Sequence, residues 1–220
     1  MRFNITDNII VRALSKICDM VCLNILWLIC SIPIVTIGAS TTALYTIMLK
    51  MVKNEEGYIF RGFFKAFKSN FKQSTIMWIV ILLLAIVCWI DYRVAGAMPG
   101  MAGLVMRTIF LLMGFILLSV TIYIFPLTAR YENTIRNTVR NALILTVGKL
   151  PYTILMVVVT AGAVIASLWN SATLMFAIPL WFIIGVSLIV WINSYLLRRV
   201  FTIFESGENN TDDNNTEEEG

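Results

Sequence analysis

The chain has 220 residues, 59% of them hydrophobic and 14% charged, where a soluble domain carries about 25% charged residues. Too little polar surface remains to face water on all sides, so the composition excludes an ordinary soluble domain and makes the bilayer the solvent. The net charge of +4 hides a split: residues 205–220 hold seven acidic residues and no basic ones, which leaves residues 1–204 at +11, a balance suited to anionic headgroups.

In chain order, the N-terminus carries Arg2, Arg12 and Lys16. The apolar run that follows is far longer than the ~7–15 residues of a signal-peptide core, so it reads as a retained membrane segment. It covers residues 20–49, 30 residues without a charge. That is long for one helix and short for two, since a span needs ~20 residues. Pro33 and Gly38 stand in its middle, where proline removes a donor and glycine loosens the backbone. Thr36, Ser40 and Thr41 are candidate caps for a restarted helix. The stretch is therefore either one kinked helix or a hairpin of two.

Residues 50–73 are basic and rich in phenylalanine. Phe60, Phe63, Phe64, Phe67 and Phe71 fall within a ~100° arc at helical spacing, and Arg61, Lys65, Lys68 and Lys72 within a ~60° arc about 120° away. The pattern predicts an amphipathic helix near 58–73 lying in the membrane plane, its rings in the acyl boundary and its four cations on lipid phosphates. A docking surface for a cytoplasmic partner is the sharper reading of the same stripe, and nucleic acid is not expected on a stripe adjoining a membrane. The uncharged stretches 73–90 and 108–129 are one helix each. The 48 residues of 150–197 must be two, broken at Trp169, Asn170 and Ser171, with Pro179 placed to kink the last helix.

Charge arbitrates the first stretch. A single helix there gives five membrane segments and divides Lys and Arg 12 against 5 between the two sides; a hairpin gives six and divides them 15 against 2. Positive residues collect on the cytoplasmic side, so the hairpin is preferred, with both termini cytoplasmic and the protein multi-pass in the cell membrane. Basic pairs four residues apart precede each of three apolar hairpins (Arg12 and Lys16, Arg61 and Lys65, Arg136 and Arg140), a weak internal repeat. The expected fold is an all-α polytopic transmembrane helix bundle of five to six membrane segments. It forms a single integral membrane domain over 1–204, followed by a disordered acidic cytoplasmic tail over 205–220.

Polar residues inside the apolar stretches are the remaining candidates. Asn24, Thr36, Ser40 and Thr41 form the candidate intramembrane site, with Thr42 and Asn193 beside them in kind; helix-to-helix hydrogen bonding is the plain reading and a small-ligand cavity at the broken helix the sharper one. Asp19 and Asp91, beside Lys16 and Arg93 at membrane borders, read as local ion-pair members. Cys18, Cys22, Cys30 and Cys88 sit in or beside apolar stretches without a CxxC pair and read as small hydrophobes. The chain has no histidine, which excludes histidine-based acid–base chemistry and Ser–His triads. With no phosphate-binding glycine loop, carboxylate pair or metal cluster in the sequence, neither enzyme activity nor a cofactor or metal is expected.

The runs PIVTIGASTTALY and FKSNFKQ, with LSKICDMVCLNILWLICS before them and KLPYTIL after, resemble the YesL-like family of bacterial integral membrane proteins, a domain-of-unknown-function family, over residues 8–204. Asn24, Pro33, Thr36, Gly38, Ser40 and Thr41 lie in the matching stretch. The resemblance implies no activity and no catalytic residue. It does imply a setting, since genes of this family, mainly in Gram-positive bacteria, often sit near carbohydrate ABC transporters, two-component sensors and glycoside hydrolases. The resulting expectation is an accessory or regulator of carbohydrate uptake, with transporter or sensor components as partners; the alternative is a small solute transporter or channel using the broken first hairpin. The segment 140–151 lacks the Glu-Ala-Ala…Gly pattern of a permease coupling helix, which argues against the permease itself.

Overall fold

The computed structural model describes residues 9–55 and 57–218, excepting the side chains of 9, 10, 12 and 203–218. The described residues form helices joined by short turns, without strands: α1 (Ile9–Cys30), α2 (Ile37–Val52), α3 (Ile59–Ala97), α4 (Gly100–Arg130), α5 (Ile135–Gly148), α6 (Leu150–Leu168), α7 (Ser171–Leu180) and α8 (Val186–Glu218). Six helical segments are long and apolar enough to cross a membrane: α1, α2, α3, α4, α6, and α7 running on into α8. The protein is a polytopic, all-α membrane bundle.

The first stretch is a hairpin, broken where proline and glycine stand. Pro33 takes an extended conformation (φ −74°, ψ 115°), a 3-10 turn follows at Ile34–Thr36, and α2 restarts at Ile37. The freed carbonyls find partners: Thr36 Oγ1 donates to Cys30 O at 2.6 Å and Pro33 O at 2.7 Å, and Trp78 Nε1 donates to Ile34 O at 2.8 Å. Gly38 allows α2 to lie on α3, since a Cβ built there meets Ser74 O and Trp78 Cβ at 2.5 Å. One turn on, Thr42 Oγ1 and Ser74 Oγ share a buried 2.8 Å hydrogen bond. Small residues one turn apart allow close approach in a bilayer, where the hydrophobic effect does not pull helices together.

The 58–73 segment is not a separate in-plane helix. It is the first part of α3, which runs unbroken for 39 residues into the membrane segment. No glycine or proline stands between Gly62 and Gly96, so nothing in the sequence supplies a sharp bend. The phenylalanine stripe divides accordingly. Phe63 is fully buried in the core, while Phe60, Phe64 and Phe71 stay exposed. A separate short amphipathic helix does exist, but it is α5, between the uncharged stretches 108–129 and 150–197. α5 buries Thr138, Ala142, Leu145 and Thr146 and turns Leu143, Ile144 and Val147 outward.

The break at Asn170 falls where expected, as a capping box: Asn170 Oδ1 accepts from Thr173 N at 2.8 Å and Thr173 Oγ1 from Asn170 N at 3.0 Å. After Pro179 the helix widens into one π turn, Trp181–Gly185, before α8 begins. Helical backbone is described as far as Glu218. The division at 204/205 rests on composition, because the side chains beyond Thr202 lie outside the described part.

The core gathers Leu23, Leu44, Met48, Phe63, Tyr123, Leu145, Met156, Leu197 and Phe201 from seven of the eight helices around α2. Beyond Trp78, α3 and α4 run on as a pair with outward apolar faces, Leu83, Leu84 and Val87 on one and Leu111 and Leu112 on the other. Lys16, bonded to Asn54 at 2.7 Å, and Arg198, bonded to Val52 O, meet the α2–α3 turn at the opposite end. This is the basic end of the bundle.

Candidate functional site

A polar cleft of about 470 Å3 opens at the basic end between α2, α3 and the end of α4. α2 contributes Thr46 and Lys50. α3 contributes Gly62, Lys65, Ala66, Ser69, Asn70 and Gln73, and the α4 end and its turn add Thr128, Ala129, Arg130, Tyr131, Glu132 and Asn133. A second hollow of about 180 Å3 shares Thr46, Lys50, Ala129 and Arg130 and adds Lys53, Glu55 and Arg198. Five cationic residues and two carboxylic ones thus line the two adjoining hollows.

Local structure explains the placement. Lys50 and Arg130 each stand in the last turn of a helix, where the exposed carbonyls favour a cation. Lys65 projects from the exposed face of α3, while Phe63 and Ala66 bury the other face. Gln73 Nε2 donates to Asn133 O at 2.8 Å and ties α3 to the turn after α4. Asn70 Nδ2 donates to Ala66 O at 3.1 Å and to Ser69 Oγ at 3.2 Å. Arg130 lies over the Tyr131 ring at 5.5 Å and the Phe201 ring at 5.0 Å, so its planar cation is held by stacking at the rim. The ammonium groups of Lys50 and Lys65 make no hydrogen bond or ion pair among the described residues. Two ammonium point charges with amide and hydroxyl groups between them are chemically suited to receive an anionic group, with the Glu132 carboxylate on the α4 side of the same cleft.

The residues singled out from sequence separate into two groups. Asn24 is fully buried, and its Nδ2 donates to Trp181 O at 3.0 Å and Phe182 O at 2.8 Å while its Oδ1 accepts from Ser187 N at 3.1 Å. It serves the backbone groups of the π turn. Thr36 binds the break as described, Ser40 Oγ donates to Thr36 O at 3.1 Å, and Thr41 Oγ1 donates to Ile37 O and accepts from Trp27 Nε1 at 3.1 Å. The four side chains bond to backbone or indole and not to one another. Asn193 Nδ2 donates to Thr160 Oγ1 at 3.1 Å and links α8 to α6. Arg61, Lys65, Lys68 and Lys72 are all exposed on α3, and of these Lys65 lines the cleft. Lys50, Arg130, Asn70, Gln73 and Glu132 were not singled out; the one signal available in sequence was the position of Lys50 and Arg130 at the ends of apolar runs.

Residues 20–92 match the family described as "Protein of unknown function, DUF624". The match holds the first hairpin and the α2 and α3 walls of the cleft. Two relatives come from Bacillus subtilis (strain 168). "Uncharacterized protein YteU" is 28% identical over 143 residues, 63% of this chain and 64% of that protein, so the chain spans a little under two thirds of its length. "Uncharacterized protein YesL" is 25% identical over 158 residues, 70% of this chain and 74% of YesL. No solved structure matches the chain.

Proposed function

We propose that this chain, which belongs to the YesL-like family of membrane proteins of unknown function, is a non-enzymatic accessory protein of the cell membrane that takes an anionic group of a carbohydrate-uptake partner into its basic cleft. The observation that carries this reading is the cleft itself: Lys50 and Lys65, whose ammonium groups make no hydrogen bond or ion pair among the described residues, line one polar space of about 470 Å3. The division of Lys and Arg, 15 against 2, supports a cytoplasmic basic end and cytoplasmic termini. An ABC transporter or sensor component is the partner class, supported by the gene setting that the family resemblance implies. The absence of histidine supports a binding role over a catalytic one. The alternative of a solute path through the broken hairpin draws no support from Asn24, Thr36, Ser40 and Thr41, whose hydrogen bonds hold the break and the π turn together.

A deletion strain grown on a panel of oligosaccharides tests the setting. The expected result is slower growth and uptake on at least one oligosaccharide, with growth on its free monosaccharides unchanged. Parental growth on every member of the panel would overturn the carbohydrate reading.

A further inference from the structure

We propose that α1 and α2 form a re-entrant hairpin, entering and leaving on the basic side, with the tip at 31–36 seated among lipid acyl chains inside the hydrocarbon layer and short of the opposite face. The ruler is α3. Lys72 and Asp91 bound its uncharged stretch and stand 19 residues apart, or ~28 Å along a helix, against a hydrocarbon core of ~30 Å. The tip touches this ruler at Trp78, through the indole bond to Ile34 O at 2.8 Å and the packing of Gly38 on Ser74 and Trp78. Trp78 lies six residues from Lys72 and 13 from Asp91, so along the helix the tip stops ~9 Å past one border and ~20 Å short of the other.

Four further observations fit a tip in lipid. Residues 20–49 contain no charge, and at the tip Ile32, Ile34 and Val35 are 77%, 62% and 49% exposed. Turns that face water expose Asn, Asp, Gly or Ser, as the capping box at Asn170 does; this tip exposes Ile32, Ile34 and Val35 and keeps the hydroxyl of Ser31 buried. Thr36 shares its hydroxyl proton between the carbonyls of Cys30 and Pro33, and Trp78 donates to that of Ile34, so part of the non-helical backbone is satisfied as membrane depth requires, while Ser31 Oγ is buried there with no partner among the described residues. From Trp78 to Ile90, α3 carries no charge. The hollow of about 510 Å3 between α3 and α4 is walled by residues such as Leu82, Trp89, Phe110 and Leu117, so the hydrocarbon layer continues past the tip. A re-entrant hairpin returns the chain to the side it left, so the 15 to 2 division of cations is kept.

Impermeant-maleimide labelling in sealed membrane vesicles of both orientations tests this, using the full chain with its four cysteines changed to alanine. Gly57→Cys, in the α2–α3 turn, reports the basic side, and Met101→Cys, 77% exposed at the α3–α4 turn, reports the other. Each is expected to label in one orientation only. Ile32→Cys is expected to label in neither, at least tenfold slower than both reporters, and to react fully with a membrane-permeant maleimide in the same vesicles. Val35→Cys repeats the reading at an independent position. Labelling of Ile32→Cys from the Met101 side at the rate of that reporter would show a full span and overturn the proposal; labelling from the Gly57 side at that reporter's rate would place the tip in water and overturn it equally.

Discussion

Asn24→Leu should cost the bundle stability through loss of partners for the π turn. The side chain is fully buried and makes three hydrogen bonds across 157 to 163 residues of sequence, two to carbonyls and one from a backbone N–H. Hydrogen bonds between helices in a bilayer average ~0.6 kcal/mol and reach ~1.7, so three give about 2 kcal/mol at the average and about 5 at the upper bound. Leucine has a similar size, so cavity formation adds little and the loss reports the polar contacts. Detergent-driven unfolding in mixed micelles reads the loss, with Ile25→Ala as control, since Ile25 is 46% exposed on the same helix and truncation there should change stability by less than ~0.5 kcal/mol. Amide exchange locates it: protection should fall at 181–187 and hold at 42–48. An Asn24→Leu protein within ~0.5 kcal/mol of the parent, with unchanged exchange at 181–187, would refute the assignment of Asn24 to the π turn.

Gly38→Ala places a Cβ 2.5 Å from Ser74 O, a backbone atom that cannot swing aside, and should destabilise by about 1–3 kcal/mol in the same unfolding assay; Gly57→Ala, whose Cβ meets nothing within 4 Å, should not. Trp78→Phe removes the donor to Ile34 O and should cost about 1 kcal/mol, read as faster amide exchange at 34–38. Cys18, Cys22, Cys30 and Cys88 are free thiols, so denaturation without reductant followed by alkylation should add four labels by mass, with Cys18, the exposed one, modified first in the folded protein.

The sequence made the membrane segments and their breaks legible because each rests on a strong local signal. Uncharged length marks the spans, Pro33 and Gly38 mark the first break, and Asn170 marks the last. The α5 helix was hidden because its buried face is Thr138, Ala142, Leu145 and Thr146, half of it polar, with Arg136 and Arg140 among them, which reads as a charged connection. The continuity of α3 is not legible because the charge boundary at Lys72 resembles an element boundary, while helices end at breakers and not at charges. The role of Asn24 depends on a π turn more than 150 residues away, a register that only packing fixes. The cleft draws on segments near 46–50, 62–73 and 128–133, so no spacing in the chain announces it.

The most direct test of the proposed function is oligosaccharide uptake by the deletion strain carrying either the parent chain or the Lys50→Glu, Lys65→Glu double variant at equal membrane abundance. Both residues are exposed at the cleft, so the bundle is expected to fold as before. The account predicts that the parent chain restores uptake and the charge-reversed chain does not. Full restoration by the double variant would contradict it.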